Sequence, residues 1–102
     1  MKVVKDAVEF EWDKGNIGKN IKHKVEDKES EEIFFDKKRF IFRDKIHSRN
    51  EERFRIIGKT KRKRLLFVVF TIRRRKVRII SARDINKKEV KLYEEKVGFA
   101  KV

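Results

Sequence analysis

The chain is predicted to be an α+β protein: a twisted antiparallel sheet of about four to five strands, with two N-terminal helices and one C-terminal helix. Three observations predict this. The stretch Arg64 to Asp84, "RLLFVVFTIRRRKVRIISARD", places two β-branched and aromatic runs, Leu65 to Ile72 and Val77 to Ala82, around Arg73-Arg74-Arg75-Lys76. That is a hairpin pattern with a charged turn. Helical spacing and capping signals occur before and after the strand-rich middle. At 102 residues, 38% hydrophobic with nine Phe, the chain suits one domain with a modest core.

Val8 to Trp12 alternates and reads as a short strand. Asp13-Lys14-Gly15-Asn16 is a turn that starts a helix near residue 16, with Ile17, Ile21 and Val25 spaced four apart along one face. Asp27 resembles an N-cap for a second helix, with Glu29, Glu31 and Glu32 at its positive end and Ile33, Phe34 and Phe35 as its buried part. Strands are expected at Arg39 to Arg43 and Arg53 to Ile57, separated by a polar loop, Asp44 to Glu52, that contains His47. Asn86 opens the last helix with Glu89 at the capping-box position and Ile85 and Val90 as a hydrophobic staple. Val90, Tyr93 and Val97 form its apolar stripe.

A two-residue loop at Arg74-Arg75 would set Thr71 opposite Arg78, Val69 opposite Ile80, and Leu66 opposite Arg83 on the other face. Both faces of the first hairpin strand are largely apolar, as in a central strand. Arg73, Arg78 and Arg83 therefore need anions, since a buried guanidinium is costly without one. The partner is either internal, such as Glu52 or Asp84, or external, an RNA phosphate or a protein carboxylate.

The formal charge is +14 with a pI near 10.2. Residues 1–60 hold 16 Lys/Arg against 13 Asp/Glu, and residues 61–102 hold 15 against 4. A field concentrated in the C-terminal part suits a polyanion, nucleic acid first and an acidic protein second. The absence of Cys excludes disulfides, thiolate metal sites and a Cys nucleophile. No apolar run reaches membrane-spanning length and no signal peptide opens the chain, so a cytoplasmic location is expected, with no membrane partner. The chain has no Pro, and no linker or repeat divides it. Abundant Lys, Glu and Arg with no Gln is a thermophile-like composition.

Gly-rich phosphate loops and serine-hydrolase patterns are absent, and the two His are 24 positions apart, so no metal or other cofactor is expected. What remains is a basic surface with His, Arg, Tyr and scattered carboxylates. Metal-independent RNA cleavage needs such groups. A base takes the ribose 2′-OH proton, cations stabilise the phosphorane, and an acid protonates the departing 5′-oxygen.

"FEWD" at Phe10 to Asp13, "NIGKN" at Asn16 to Asn20 and "KHKV" at Lys22 to Val25 resemble the opening of the BrnT toxin family. The likeness continues in "HSRNEERFRIIG" at His47 to Gly58, "VVFTIR" at Val68 to Arg73, "RIISAR" at Arg78 to Arg83, and Glu89 with Tyr93. It departs in one place: His23 follows Asn20 by three residues where the family has four, a rotation of about 100° around a helix.

The resemblance implies a type II toxin of RelE-like fold that cleaves RNA without a metal and stops translation. It also implies a BrnA-like ribbon-helix-helix antitoxin, with DNA bound only through the complex. On this reading Arg53, Arg78 and Arg83 hold the scissile phosphate, and His23 or Glu52 is the base. Lys19, Lys22, Thr71, Arg73, Tyr93 and the loop Lys61, Arg62, Lys63, Arg64 collect the RNA by charge or contact. The alternative is a non-enzymatic RNA- or DNA-binding protein of the same fold. Structural roles compete at several positions: Trp12 and Tyr93 as core, Asp13 as a turn former, His47 as surface, and Glu52 with Arg53 as a strand-edge ion pair.

Overall fold

The computed structural model describes residues 9–46, 48 and 50–101, with side chains described only as far as residue 95. Four strands, β1 (Phe40–Arg43), β2 (Arg53–Lys59), β3 (Leu65–Arg73) and β4 (Lys76–Asp84), form an antiparallel meander in sequence order. Helix α1 (Asp27–Glu32) precedes the sheet and α2 (Lys87–Lys101) follows it. The α+β class and the internal position of β3 agree with the sequence, while β4 is an edge strand.

The N-terminal expectations need correcting. Of the expected strand Val8 to Trp12, Val8 lies outside the described residues, as does His47, and among the described ones Phe10 makes a parallel bridge to Val77. Instead of a first α-helix, a 3-10 turn spans Lys19–His23, and Ile17 and Ile21 point to solvent while Asn16 and Asn20 are buried. The reason is the free edge of β4. Asn16 donates through Nδ2 to the Ile79 carbonyl at 3.1 Å, and the Ala82 amide donates to Asn20 Oδ1 at 3.0 Å. Two side-chain amides thus replace a strand along that edge, where unpaired backbone groups would otherwise be exposed.

Asp27 is the first residue of α1 and not its cap; its carboxylate accepts from the Gly18 amide at 2.9 Å. A second 3-10 turn, Ile33–Phe35, buries Ile33 and Phe34 but leaves Phe35 61% exposed. The turn sits so close to β2 that only glycine fits at Gly58, where a Cβ would lie 2.9 Å from both Ile33 Cβ and its carbonyl oxygen. At α2 the capping box forms as expected: Asn86 N donates to Glu89 Oε1 and Glu89 N to Asn86 Oδ1, both at 2.9 Å.

One sheet face carries the larger core, with Phe54, Ile56, Leu66, Val68, Phe70, Val77, Ile79 and Ala82 packed against Val25, Ile33 and Phe34. The other face is smaller: Ile57, Phe67 and Tyr93 are buried, flanked by Phe40, Phe42 and Leu92. Arg74 and Arg75 form the tight turn with φ of 50° and 69°, as a two-residue hairpin of this hand requires.

Beyond the turn the expected register holds only in part. Thr71 lies opposite Arg78, but Val69 faces Ser81 and Phe67 faces Arg83, so Ile80 is the extra residue of a β-bulge. Five residues apart on a regular strand, Arg78 and Arg83 would face opposite ways. The bulge puts both on the smaller face.

Candidate functional site

On that smaller face run Arg53 and Arg55 of β2, Phe67, Val69 and Thr71 of β3, and Arg78, Ser81 and Arg83 of β4, in matched ladder positions. Helix α2 packs near Ile57 and Phe67 through Tyr93 and Leu92. Its packing leaves the Arg53–Thr71–Arg78 end to arginine.

Arg83 is the most elaborately held. Its guanidinium lies 4.3 Å from the centroid of Phe67. Nη1 and Nη2 donate to the two Glu89 oxygens at 2.9 and 2.8 Å, and Nη1 also donates to the Asp84 carbonyl at 3.0 Å. Burial alone would raise the Glu89 carboxyl; the Arg83 guanidinium and the Asn86 amide outweigh it and leave it lowered. Arg55 approaches the same ring from β2, 5.6 Å from Phe67 and 5.9 Å from Phe42. Its Nε lies 3.1 Å from buried Asp44 Oδ2, an ion pair without hydrogen-bond alignment. Two cations thus flank one aromatic ring. Arg55 is absent from the residues expected at the site, although the alternation of Arg53, Arg55 and Ile57 along one strand face places it beside Arg53.

The other expected site residues are more dispersed. Arg78 is held by Asp13 (2.8 Å to Oδ1, 2.9 Å to Oδ2) and by Glu11 at 3.0 Å. Its guanidinium passes close over Gly15, where a Cβ would meet Nη2 at 2.5 Å and the arginine tip would have to shift. The ladder separates Arg78 from Arg83 by four positions of β3, about 13 Å at strand spacing. Arg73 takes both Glu51 oxygens, at 3.0 and 3.1 Å. Neither Glu52 nor the Asp84 carboxylate is the internal partner of these three arginines. Glu52 pairs with Arg43 at 3.3 Å, not with Arg53, and Asp84 pairs with Arg64.

Arg64 departs furthest from a solvated RNA-collecting loop. It bridges Asp84 at 2.6 Å, Glu29 at 2.9 Å and the Lys24 carbonyl at 2.8 Å, tying the N-terminal segment to the β2–β3 turn. These hydrogen bonds, Asp84 first, outweigh desolvation and raise its pKa beyond any accessible pH. Lys61, Arg62 and Lys63 remain exposed in that turn. Thr71 is buried and donates to the Glu52 carbonyl at 2.6 Å.

Tyr93 is buried and its hydroxyl donates to Asp36 Oδ2 at 2.9 Å, so it is not free to reach a groove; burial first and Asp36 second raise its pKa. Trp12 is half-buried and donates to Glu31 at 2.6 Å, and Asp13 accepts from the Gly15 amide as a turn former. His23, Lys19 and Lys22 are exposed on the 3-10 turn. The His23 carbonyl lies within 3.4 Å of Arg64 Nη2, which puts it near the Asp84 end of β4, while Glu52 sits at the opposite end beside Thr71. Among the described residues no group of three or more His, Asp or Glu side chains is placed to hold a metal ion, and no helix is long and apolar enough to cross a membrane.

The arrangement sets two cations beside an aromatic ring and further arginines along one sheet face, with the backbone of His23 near the Asp84 end of β4. No curated protein matches the chain. Residues 12–89 match the family model of BrnT, described as the ribonuclease toxin of a type II toxin–antitoxin system. The match spans β1 to β4, both asparagines on the β4 edge, and Arg55, Arg83 and Glu89, and the chain belongs to the BrnT family of ribonuclease toxins.

Proposed function

We propose that this chain is a metal-independent endoribonuclease that inhibits translation, built on a RelE-like variant of the α+β fold and neutralised by a BrnA-like ribbon-helix-helix antitoxin. The observation that carries the reading is the bulge at Ile80, which aligns Arg78 and Arg83 with Arg53 and Arg55 on one face. Arg83 and Arg55 hold the scissile phosphate, because both are oriented before substrate arrives and lie against one ring. Arg53 and Arg78 take neighbouring phosphates. Lys19, Lys22, Arg73 and the Lys61 to Lys63 turn gather the strand by charge. His23 serves as the base, since its backbone lies near the end of β4 that carries Arg83, whereas the backbone of Glu52 is bonded to Thr71 at the other end.

The reaction is attack of the ribose 2′-oxygen on the adjacent phosphorus, with its proton passing to the base. The P–O5′ bond breaks and the 5′-oxygen gains a proton. The products are a 2′,3′-cyclic phosphate and a 5′-hydroxyl. The test is single-stranded RNA incubated with purified protein in excess chelator, with Arg83→Ala and His23→Ala alongside. Cleavage in chelator with those ends, lost in Arg83→Ala, supports the reading. Activity lost in chelator and restored by a divalent ion would overturn it.

One observation favours the non-enzymatic alternative. Arg73, Arg78 and Arg83 each already hold a carboxylate. If those pairs persist with RNA bound, the face is a binding surface without chemistry. RNA retained intact by a folded protein would identify it as such.

A further inference from the structure

The segment Asn16 to Lys24 is amphipathic in the wrong sense for a part that merely packs. It buries two amides, Asn16 at 3% and Asn20 at 2% exposure, and leaves Ile17 57% and Ile21 55% exposed. A single exposed isoleucine needs no explanation. Here each one directly follows an asparagine fixed to the β4 edge. The side-chain amide bonds that hold the segment to the β4 backbone therefore also hold both isoleucines outward. Around them Lys14, Lys19, Lys22, His23 and Lys24 are exposed. Of the carboxylates beside the segment, Asp27 already accepts from the Gly18 amide and Asp13 pairs with Arg78.

We propose that this surface is a docking site for an acidic, amphipathic segment of a protein partner, its apolar side chains on Ile17 and Ile21 and its carboxylates on the surrounding lysines. The proposal rests on the toxin reading above, in which that partner is the antitoxin. Charge complementarity selects the occupant. A second copy of this chain would bring Lys19 and Lys22 against their own equivalents in a molecule of charge +14. RNA could use the lysines but gains nothing from the isoleucines. The same segment carries Lys19, Lys22 and His23, so a partner seated there covers groups assigned above to gathering and cutting RNA. Neutralisation then needs no contact with the arginine face, and the isoleucines supply a hold that RNA cannot compete for.

The experiment co-expresses the protein with a candidate antitoxin, the product of a short reading frame found to adjoin its gene. It compares wild type, the double variant Ile17→Ser/Ile21→Ser, and Ile46→Ser, a control at another exposed isoleucine. Growth, RNA integrity and the affinity of the purified pair are read, with thermal unfolding as a check on the fold. The double variant should still cut RNA and arrest growth, but bind the partner more weakly by roughly tenfold for each isoleucine and escape neutralisation. Ile46→Ser should behave as wild type.

A double variant neutralised as well as wild type, with unchanged affinity, would refute the docking site and leave the toxin reading intact. A wild type that cuts no RNA, yet binds the partner through the isoleucines, would keep the site and remove the enzymatic reading. A wild type that binds no neighbouring product would remove the antitoxin reading and the site together. Should the serine variant unfold, Lys19→Glu/Lys22→Glu supplies the second measurement. It should weaken the partner most at low salt, and an unchanged affinity there overturns the site.

Discussion

Arg78 and Arg83 lie five residues apart on β4 and still face the same side of the sheet, because Ile80 is accommodated in a bulge between them. The shared face does not make them equivalent. Arg83 is stacked on Phe67 within reach of Arg55, whereas Arg78 is tied to Asp13 and Glu11 on the N-terminal segment.

Substitution should separate the two roles. Arg55→Ala is expected to slow RNA cleavage by about 100-fold, the usual consequence of removing one oriented cation from a developing charge. Arg78→Ala should change the rate by less than about tenfold, and its main effect should be lost stability, because its half-buried guanidinium ties β4 to Asp13 and Glu11. Single-turnover cleavage of one defined oligonucleotide, with urea unfolding of each variant, measures both. Equal losses of rate would place Arg78 in the same phosphate clamp as Arg83.

Gly58 is a packing position, although it falls in a stretch that also resembles the family motif. A methyl group there meets Ile33 Cβ and the Ile33 carbonyl at 2.9 Å, and a backbone carbonyl cannot rotate away as a side-chain tip can. Gly58→Ala should therefore destabilise by about 1–3 kcal/mol through overpacking. Urea midpoints should show the loss with no change in the slope. Unaltered stability would mean that the Ile33–Phe35 turn moves off β2 without cost.

Asn20 offers a complementary case. Asn20→Leu replaces a buried amide with an apolar group of similar size, an apparent improvement to a core. It leaves the Ala82 amide without its acceptor, so a loss of about 1–3 kcal/mol is expected. Faster hydrogen exchange at the Ala82 amide, against unchanged exchange in β2, would locate the damage at the β4 edge. Slower exchange there would show that the edge closes without the asparagine.

These two positions show what the sequence could and could not disclose. Val-, Ile- and Phe-rich runs made the hairpin and the meander legible, and Asn86 with Glu89 disclosed the last helix, because each signal is local. The spacing of Ile17, Ile21 and Val25 suggests one shared face, yet only Val25 enters the core. What decides that segment is the open edge of β4, a partner some 60 residues distant in sequence, and the asparagines satisfy it while the isoleucines do not. The bulge at Ile80 was equally silent, lacking the glycine that often marks one, and so the face of Arg83 could not be read. Partner choice among charges was the least legible: Arg64, in a run of four basic residues, is a three-way structural tie, while Arg55 went unnoticed beside Arg53.

Acid should loosen the molecule in a defined direction. Arg78 holds the Asp13 carboxyl below its usual value of 3.8, Arg64 does the same for Asp84, and Arg73 holds Glu51 below 4.5. Glu89 is also lowered, its pairing with Arg83 outweighing burial. Each folded-state pKa lies below the unfolded one, so these groups stabilise the fold above the unfolded pKa, and the contribution is lost as pH falls through the folded values. Stability should be flat above about pH 5.5 and decline below about pH 4.5. Glu89→Gln should make that decline shallower. A melting temperature independent of pH between 6 and 3, in roughly that range, would show that the pairs contribute nothing net.

The turn at Arg74-Arg75 joins a backbone cost to a gain in charge, and the two can be measured apart. Both residues have positive φ, which Asn and Gly adopt far more readily than arginine. Arg74→Asn/Arg75→Gly should therefore raise stability by about 1 kcal/mol or more while leaving β3 and β4 paired. The same change removes two cations from the tip of the hairpin. If both contact phosphates, the salt dependence of single-stranded RNA binding should become shallower by about 1.4 in log–log slope, at about 0.7 per contact. A protein partner anchored by apolar burial should be nearly indifferent to the change, since that contribution is not screened by salt. Titrations of RNA and of the partner across a salt series, on both versions of the protein, resolve these effects. A more stable variant with an unchanged RNA slope would mean that the arginines occupy a strained turn for some purpose other than RNA. A less stable one would mean that the guanidinium groups support the hairpin themselves.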